Sequence, residues 1–241
     1  MAIFSEKEVK DFFNKKWGDK SDSNISSMYL TKKVDLSLNS LLPQFLELTK
    51  PKDKIADLGC GDGRIVITLL KNNYKYICAI DYSKEAINRL NDLVKTENLD
   101  IVTKVEDLNN ITLDNNKFDA IICTSVLHYF SDTQILELFK KIDLSLKPTG
   151  ILYLTFESEL NLETRDGDKF KFENQPERNV SNYQKMINKI FLKKGYKKKF
   201  SKIYKKIVSP TLPSFIAKKL KTRDKRYIRK MTMYEVILRK S

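Results

Sequence analysis

Ile55-Ala56-Asp57-Leu58-Gly59-Cys60-Gly61-Asp62-Gly63-Arg64 reads as a short apolar strand, a glycine-rich turn and the start of a helix that continues to Leu70. Glycines let the backbone turn tightly and approach a ligand closely, because no Cβ stands in the way. Their spacing is G-x-G-x-G, which differs from the G-x-G-x-x-G of a dinucleotide site, and no Gly-Lys-Ser/Thr follows as in a phosphate-cradling P-loop. The charge is more telling. Asp57 and Asp62 flank the turn. Carboxylates there repel a pyrophosphate and attract a ligand that carries an ammonium and a sulfonium.

Further pieces follow at set distances. Tyr76 to Ile80 is a second apolar run that ends in Asp81, where two acceptor oxygens can meet both hydroxyls of a ribose. Ser83 is placed to cap the helix opened by Lys84-Glu85-Ala86. Ile101 to Lys104 is a third strand, leading into Val105-Glu106-Asp107-Leu108. Asp107 there suits the exocyclic amine of an adenine, and Leu108 suits its ring face. Phe118 to Cys123 is a fourth strand, followed by Thr124-Ser125-Val126-Leu127-His128-Tyr129-Phe130 and a helix from Asp132 to Leu146. Lys147-Pro148-Thr149-Gly150 then breaks the chain before the apolar run Ile151 to Phe156.

In order and spacing, DLGCGDGR (57–64), AIDYS (79–83), VEDL (105–108), FDAIICTSVLHYF (118–130) and LKPTGILYLTF (146–156) together resemble the class I S-adenosylmethionine-dependent methyltransferases over roughly residues 50–157. The resemblance implies a doubly wound, Rossmann-like α/β fold: a seven-stranded sheet, its last strand antiparallel, with helices on both faces. It implies S-adenosyl-L-methionine as cofactor, its methionine moiety held by Asp57, Gly59 and Gly61. Ribose falls to Asp81 with Tyr82 beside it, adenine to Asp107 and Leu108, and the sulfonium end to Thr124. Thr149 stands where the family usually has a second glycine. Within the class, residues 98–130 look most like small-molecule members of the tellurite-resistance kind.

At 241 residues the chain is long enough for one α/β domain with a full core. The expected division is an N-terminal helical lid or edge segment, 1–48, and a methyltransferase domain, 49–241, with a basic insertion at 208–230. Residues 5–16 and Val34 to Leu48 read as helices, with Trp17 and Tyr29 as lid candidates. Residues 157–176 read as a polar loop, Asn182 to Lys194 as a helix, and Tyr196 to Ile207 and Met231 to Arg239 as strands. No apolar run reaches the roughly 18–20 residues of a membrane span, and the start lacks a signal-peptide pattern. Three cysteines, Cys60, Cys78 and Cys123, fall in or beside strands and fit reduced, buried thiols. With one histidine in the chain, no His cluster for a metal exists. The expected compartment is the cytoplasm, and the oligomeric state stays open.

The net charge of +14 is concentrated at one end. Residues 185–241 hold 20 Lys and Arg against 2 Asp and Glu, whereas residues 1–184 hold 25 against 29. A solvated face, an RNA-binding surface using Phe215 and Tyr227 for stacking, and a patch resting on anionic lipid all remain open. Methyl transfer needs alignment and a dry pocket more than reactive side chains. His128 is the candidate general base, by its ordinary pKa and its place just past the fourth strand. No Asn/Asp-Pro-Pro-aromatic loop follows that strand, which argues against adenine-N6 and glutamine targets. The expected acceptor is a small molecule or lipid precursor. Leu127-His128-Tyr129 resembles the messenger-RNA cap guanine methyltransferases, so an RNA acceptor is the alternative, as is an inactive cofactor-binding partner protein.

Overall fold

In a computed structural model, residues 2–5, 7, 8, 11, 14, 40–172, 176–209, 214–222 and 226–241 are described. The strands are β1 (Ala2–Phe4), β2 (Lys54–Leu58), β3 (Tyr76–Asp81), β4 (Val102–Val105), β5 (Phe118–Cys123), β6 (Leu146–Thr164), β7 (Lys169–Phe172), β8 (Lys197–Val208) and β9 (Tyr227–Arg239). The helices are α1 (Leu42–Leu48), α2 (Arg64–Lys71), α3 (Lys84–Thr96), α4 (Asp132–Ser145), α5 (Val180–Ile190) and α6 (Ser214–Lys219).

The strands form one sheet, running β1-β7-β6-β5-β2-β3-β4, with β9 pairing both β6 and β8. Seven of its nine strands, in the order β4-β3-β2-β5-β6-β9-β8, make up the expected seven-stranded sheet, and β7 and β1 add two strands to it. The strands from β2 to β6 are parallel among those seven, and β9 is antiparallel to both its neighbours. Fully apolar runs such as IIC in β5 belong to strands covered on both faces. One face buries Leu138, Phe139 and Ile142 of α4 with Tyr183 and Ile187 of α5. The other buries Leu42 and Phe45 of α1, Ile65 and Leu69 of α2, and Leu90 of α3.

Two devices fix the helices that matter for the site. Ser83 caps α3 by accepting from the Ala86 amide at 3.3 Å, as its sequence position predicts. Ser131 and Gln134 form a reciprocal capping box at the start of α4. On the other side of the sheet, the buried Glu235 of β9 accepts from the Ser40 and Leu41 amides at 2.9 and 3.0 Å and from the Tyr153 hydroxyl at 2.6 Å. A carboxylate with that many donors is satisfied despite full burial, and it ties the entry of α1 to the last strand.

Several expectations need correction. Residues 157–176 are not a loop up to Phe172: β6 runs on to Thr164, turns at Arg165–Asp168 and returns as β7. The break at 147–150 is an irregularity inside β6, where the register against β5 shifts between Phe118 and Ala120 and Thr149 adopts φ 63°. The helix expected to reach Lys194 ends at Ile190, with a single 3₁₀ turn after it. β9 begins at Tyr227, so the insertion between the last strands is shorter than 208–230. Trp17, Tyr29, most of the helix expected at 5–16 and residues 34–39 of the one expected from Val34 lie outside the described residues, and the described part of the latter is helical over Leu42–Leu48.

The long β6 matters for function. It keeps β9 on one edge throughout, and its other edge is taken first by β5 and then by β7. β7 and its parallel partner β1 therefore occupy the side of β6 that β5 vacates at Cys123. This places them over the carboxyl ends of the central strands, where ligands bind in open α/β sheets.

Candidate functional site

The glycine turn is held against the end of β3. The amides of Gly59 and Cys60 both donate to the Ile80 carbonyl, at 2.8 and 3.0 Å. Gly59 has φ 77°, and a Cβ added there lies 2.2 Å from Val126 Cγ2, in the loop after β5. The turn and that loop thus pack at a distance that only glycine allows.

Around the turn stand three buried carboxylates, Asp57, Asp62 and Asp81. Asp81 accepts from the Gly61 amide at 2.9 Å through one oxygen and from the Ser83 amide at 2.8 Å through the other. Each oxygen has a second lone pair for a further donor. Both oxygens of Asp57 and Oδ2 of Asp62 are buried without a hydrogen-bond partner among the described residues. Buried carboxylates without donors are costly. Burial and the charge of Asp81 push the Asp57 carboxyl up to about 7. Burial first, and then the same three carboxylates, push the Cys60 thiol well above its usual range. This orphaned negative cluster fits a cationic group such as the ammonium of a methionine moiety.

The other expected cofactor residues lie at neighbouring strand ends. Asp107 is half-buried after β4 and accepts from the Asn109 amide at 2.9 Å, and Leu108 is buried beside it. Tyr82 follows Asp81 and is half-buried, and Thr124 is buried directly after β5. The Ser125 amide donates to Thr155 Oγ1 at 2.8 Å, with Ser125 at φ 55°, which anchors the loop on β6.

Beyond that loop the site turns into a buried polar cluster that sequence reading missed. Glu157 of β6 is 3% exposed and ion-paired with Arg229 of β9. Arg229 Nη2 also lies 3.0 Å from His128 Nε2. Arg178, 5% exposed, donates to the Phe130 carbonyl at 2.6 Å and to Asp132 at 2.7 Å. The bulge in β6 between Ser158 and Asn161, with Glu159 at φ 52° and its amide on the Arg178 carbonyl at 2.9 Å, bends the strand at this point.

His128 therefore does not sit as a free base. A guanidinium is always a donor, so Nε2 is the accepting nitrogen and Nδ1 carries the proton. Burial, reinforced by Arg229 and Arg178 against the opposing charge of Glu157, pushes its pKa down to about 4. The ring is neutral near pH 7. Nδ1–H has no partner among the described residues, so the ring offers a hydrogen-bond donor.

The signals for the missed residues were present. Glu157 follows a continuous apolar run, ILYLTF, and an acidic residue there breaks the strand's pattern. Leu160 and Leu162 alternate with polar residues before Arg165-Asp166-Gly167-Asp168, which is a hairpin pattern.

The carboxylate cluster carries a pH signature. The folded chain keeps a proton on Asp57 that an unfolded aspartate releases near pH ~4. This group's contribution to stability therefore falls as pH rises from about 4 to about 7. A bound ammonium draws the proton off. The expected result is that cofactor affinity rises with pH through about 7, and that calorimetry in buffers of different ionisation enthalpy detects proton release on binding.

Residues 55–150 match a family model described as a methyltransferase domain. YqeM of Bacillus subtilis, named as a methyltransferase, is 31% identical over 122 residues, 49% of this chain and 49% of its own length. The ubiquinone biosynthesis O-methyltransferase of Coxiella burnetii is 26% identical over 109 residues, 45% of each chain. The chain thus spans about half the length of the curated relatives it matches. The crystal structure of TehB from Haemophilus influenzae superposes with a TM-score of 0.53 at 18% identity, covering 97% of this chain and 68% of that one. The family match implies S-adenosyl-L-methionine as cofactor. Among the described residues, no helix is long and apolar enough to cross a membrane.

Proposed function

We propose that this chain, whose residues 55–150 belong to the class I S-adenosylmethionine-dependent methyltransferases, transfers a methyl group to a small-molecule or lipid-like acceptor and releases S-adenosylhomocysteine. Bound S-adenosylmethionine supplies an electrophilic methyl on a sulfonium. The residues do the rest. Asp57 receives the ammonium, Gly59 and Gly61 give the methionine moiety room, and Asp81 accepts from the ribose hydroxyls. Asp107 accepts from the adenine amine, Leu108 covers the ring, and Thr124 borders the sulfonium end.

The observation that carries the acceptor reading is the wall beyond Thr124. Glu157, His128 and Arg178 are buried there, and Tyr227, 4% exposed, packs edge-on to Phe170 of β7 at 5.4 Å. An enclosed wall with a few hydrogen-bonding groups suits an acceptor that is itself enclosed. His128 Nδ1–H is placed as a donor to an oxygen of such an acceptor, which replaces its expected role as base. The sequence relatives named as O-methyltransferases point the same way. The RNA alternative loses one of its supports, because buried Tyr227 offers no face for stacking. The intact carboxylate cluster speaks against an inactive partner protein.

Two measurements test this reading. Asp81→Ala should weaken S-adenosylhomocysteine binding by about 1.5–3 kcal/mol, the usual loss of charge-assisted hydrogen bonds. Asp81→Asn, which keeps one acceptor oxygen, should lose less. Unchanged calorimetric affinity in both variants would remove Asp81 from the site. Transfer from methyl-labelled cofactor into cell fractions should label small metabolites or lipids. Label confined to RNA or protein would overturn the acceptor class.

A further inference from the structure

We propose that the outer edge of the sheet, strand β8, docks on the surface of an anionic lipid bilayer. Among the described residues, β8 pairs with β9 alone. Along it, Lys197, Lys198, Lys199, Lys202 and Lys205 are exposed, and none is ion-paired with a carboxylate among the described residues. Between and just beyond these lysines stand apolar side chains that are open as well: Phe200 is 37% exposed, Ile203 54% and Ile207 67%.

The register shows how they are arranged. Ile203 lies opposite Tyr234, Lys205 opposite Thr232 and Ile207 opposite Lys230, so Ile203, Lys205 and Ile207 share one face. Lysine alone on an edge strand is a common guard against unwanted pairing. Aliphatic side chains left in water beside it work against that purpose and mark a surface to be covered.

Charge selects the occupant. Residues 185–241 carry 20 cations against 2 anions. A second copy meeting edge to edge would set lysines against lysines. RNA takes phosphate contacts and a series of aromatic faces, yet Tyr227 is buried, half-buried Tyr204 gives its hydroxyl to Glu235, and Phe200 alone is an exposed ring on β8, beside two open isoleucines that offer no stacking face. A bilayer with anionic headgroups uses both parts of the edge. The ammonium groups meet the headgroups, the lysine stems extend along the surface, and the isoleucines enter the acyl boundary. Four strand spacings of about 4.8 Å separate β8 from β2, roughly 19 Å, so docking leaves the cofactor turn clear.

The test is co-sedimentation of the full chain with vesicles of phosphatidylcholine alone or mixed with phosphatidylglycerol. Binding is expected only with phosphatidylglycerol, and high salt should release it. Lys199→Gln, Lys202→Gln and Lys205→Gln together should weaken it on the order of a hundredfold, at about fivefold per lysine. Ile203→Ser with Ile207→Ser should weaken it about tenfold or more while leaving the salt dependence unchanged. Calorimetric titration with S-adenosylhomocysteine, unchanged in every variant, shows that they are folded and keeps this result separate from the reading of the active site. Failure to sediment with phosphatidylglycerol overturns the proposal, as does binding indifferent to the isoleucine pair. Tighter binding to polyuridylate than to the vesicles overturns it too, and gives the edge to RNA.

Discussion

Gly59→Val is expected to abolish cofactor binding, with a loss in affinity of more than a hundredfold, and to lower the melting temperature. Two effects combine at this position. Left-handed backbone at φ 77° costs a side-chain-bearing residue about 1–2 kcal/mol, and a β-branched one is worse placed still. The new Cβ also lies 2.2 Å from Val126 Cγ2, so the turn and the loop after β5 must move apart. Those two loops are the ones that flank the bound methionine moiety in the proposed site. Gly167→Ala is the matched control. That glycine also has positive φ, 90°, but its nearest neighbour would be Glu163 Oε1 at 4.0 Å, in the β6–β7 turn. The control should lose stability through backbone strain alone and keep its affinity. Equal cofactor binding by folded Gly59→Val protein would refute the assignment of the turn.

Glu157→Leu should destabilise the protein by about 3–5 kcal/mol, the usual cost of stranding one member of a buried ion pair. Arg229 is then left against His128 with no anion to balance it. The double variant Glu157→Leu, Arg229→Leu should recover most of the loss, since an apolar pair of similar volume removes the uncompensated charge. Urea unfolding of the two single variants and the double one completes the cycle. Strict additivity would mean that the pair does not act as a unit. A lower catalytic rate in the double variant, with stability restored, would separate the cluster's part in function from its part in folding.

The residues proposed for the cofactor could be read from the sequence because their signals are local. A glycine turn flanked by Asp57 and Asp62, an acidic strand end at Asp81 and an acidic-apolar pair at Asp107 and Leu108 each carry their chemistry within a few residues. β5 was bounded at Phe118 and Cys123, because a run buried on both faces contrasts with its polar flanks. The proposed acceptor half was not legible in the same way. Glu157, His128, Arg178 and Arg229 come from four separate segments, and only tertiary pairing across β6 and β9 brings them together. His128 illustrates the limit: its place after β5 was read from the sequence, but its protonation is set first by burial, with Glu157 opposing and two arginines far along the chain reinforcing it. The extension of β6 was obscured by its charge. Glu157, Glu159 and Glu163 made it look like a solvated loop, although the alternating leucines and the Asp-Gly turn were there.

The position of β9 between β6 and β8 has a consequence for synthesis on the ribosome. When the chain has emerged as far as Val208, both neighbours of β9 exist and β9 does not. Until β9 emerges, β6 has an open edge and β8 lacks the strand it pairs with. Every residue assigned to the cofactor lies at or before Thr124, so that half of the pocket can assemble early in translation. Arg229 arrives with β9, so the Glu157 pair and the hydrogen bond to His128 close only when this strand threads into its slot. On the proposed reading the nascent protein acquires its two binding functions in sequence, and the acceptor wall is the later of them.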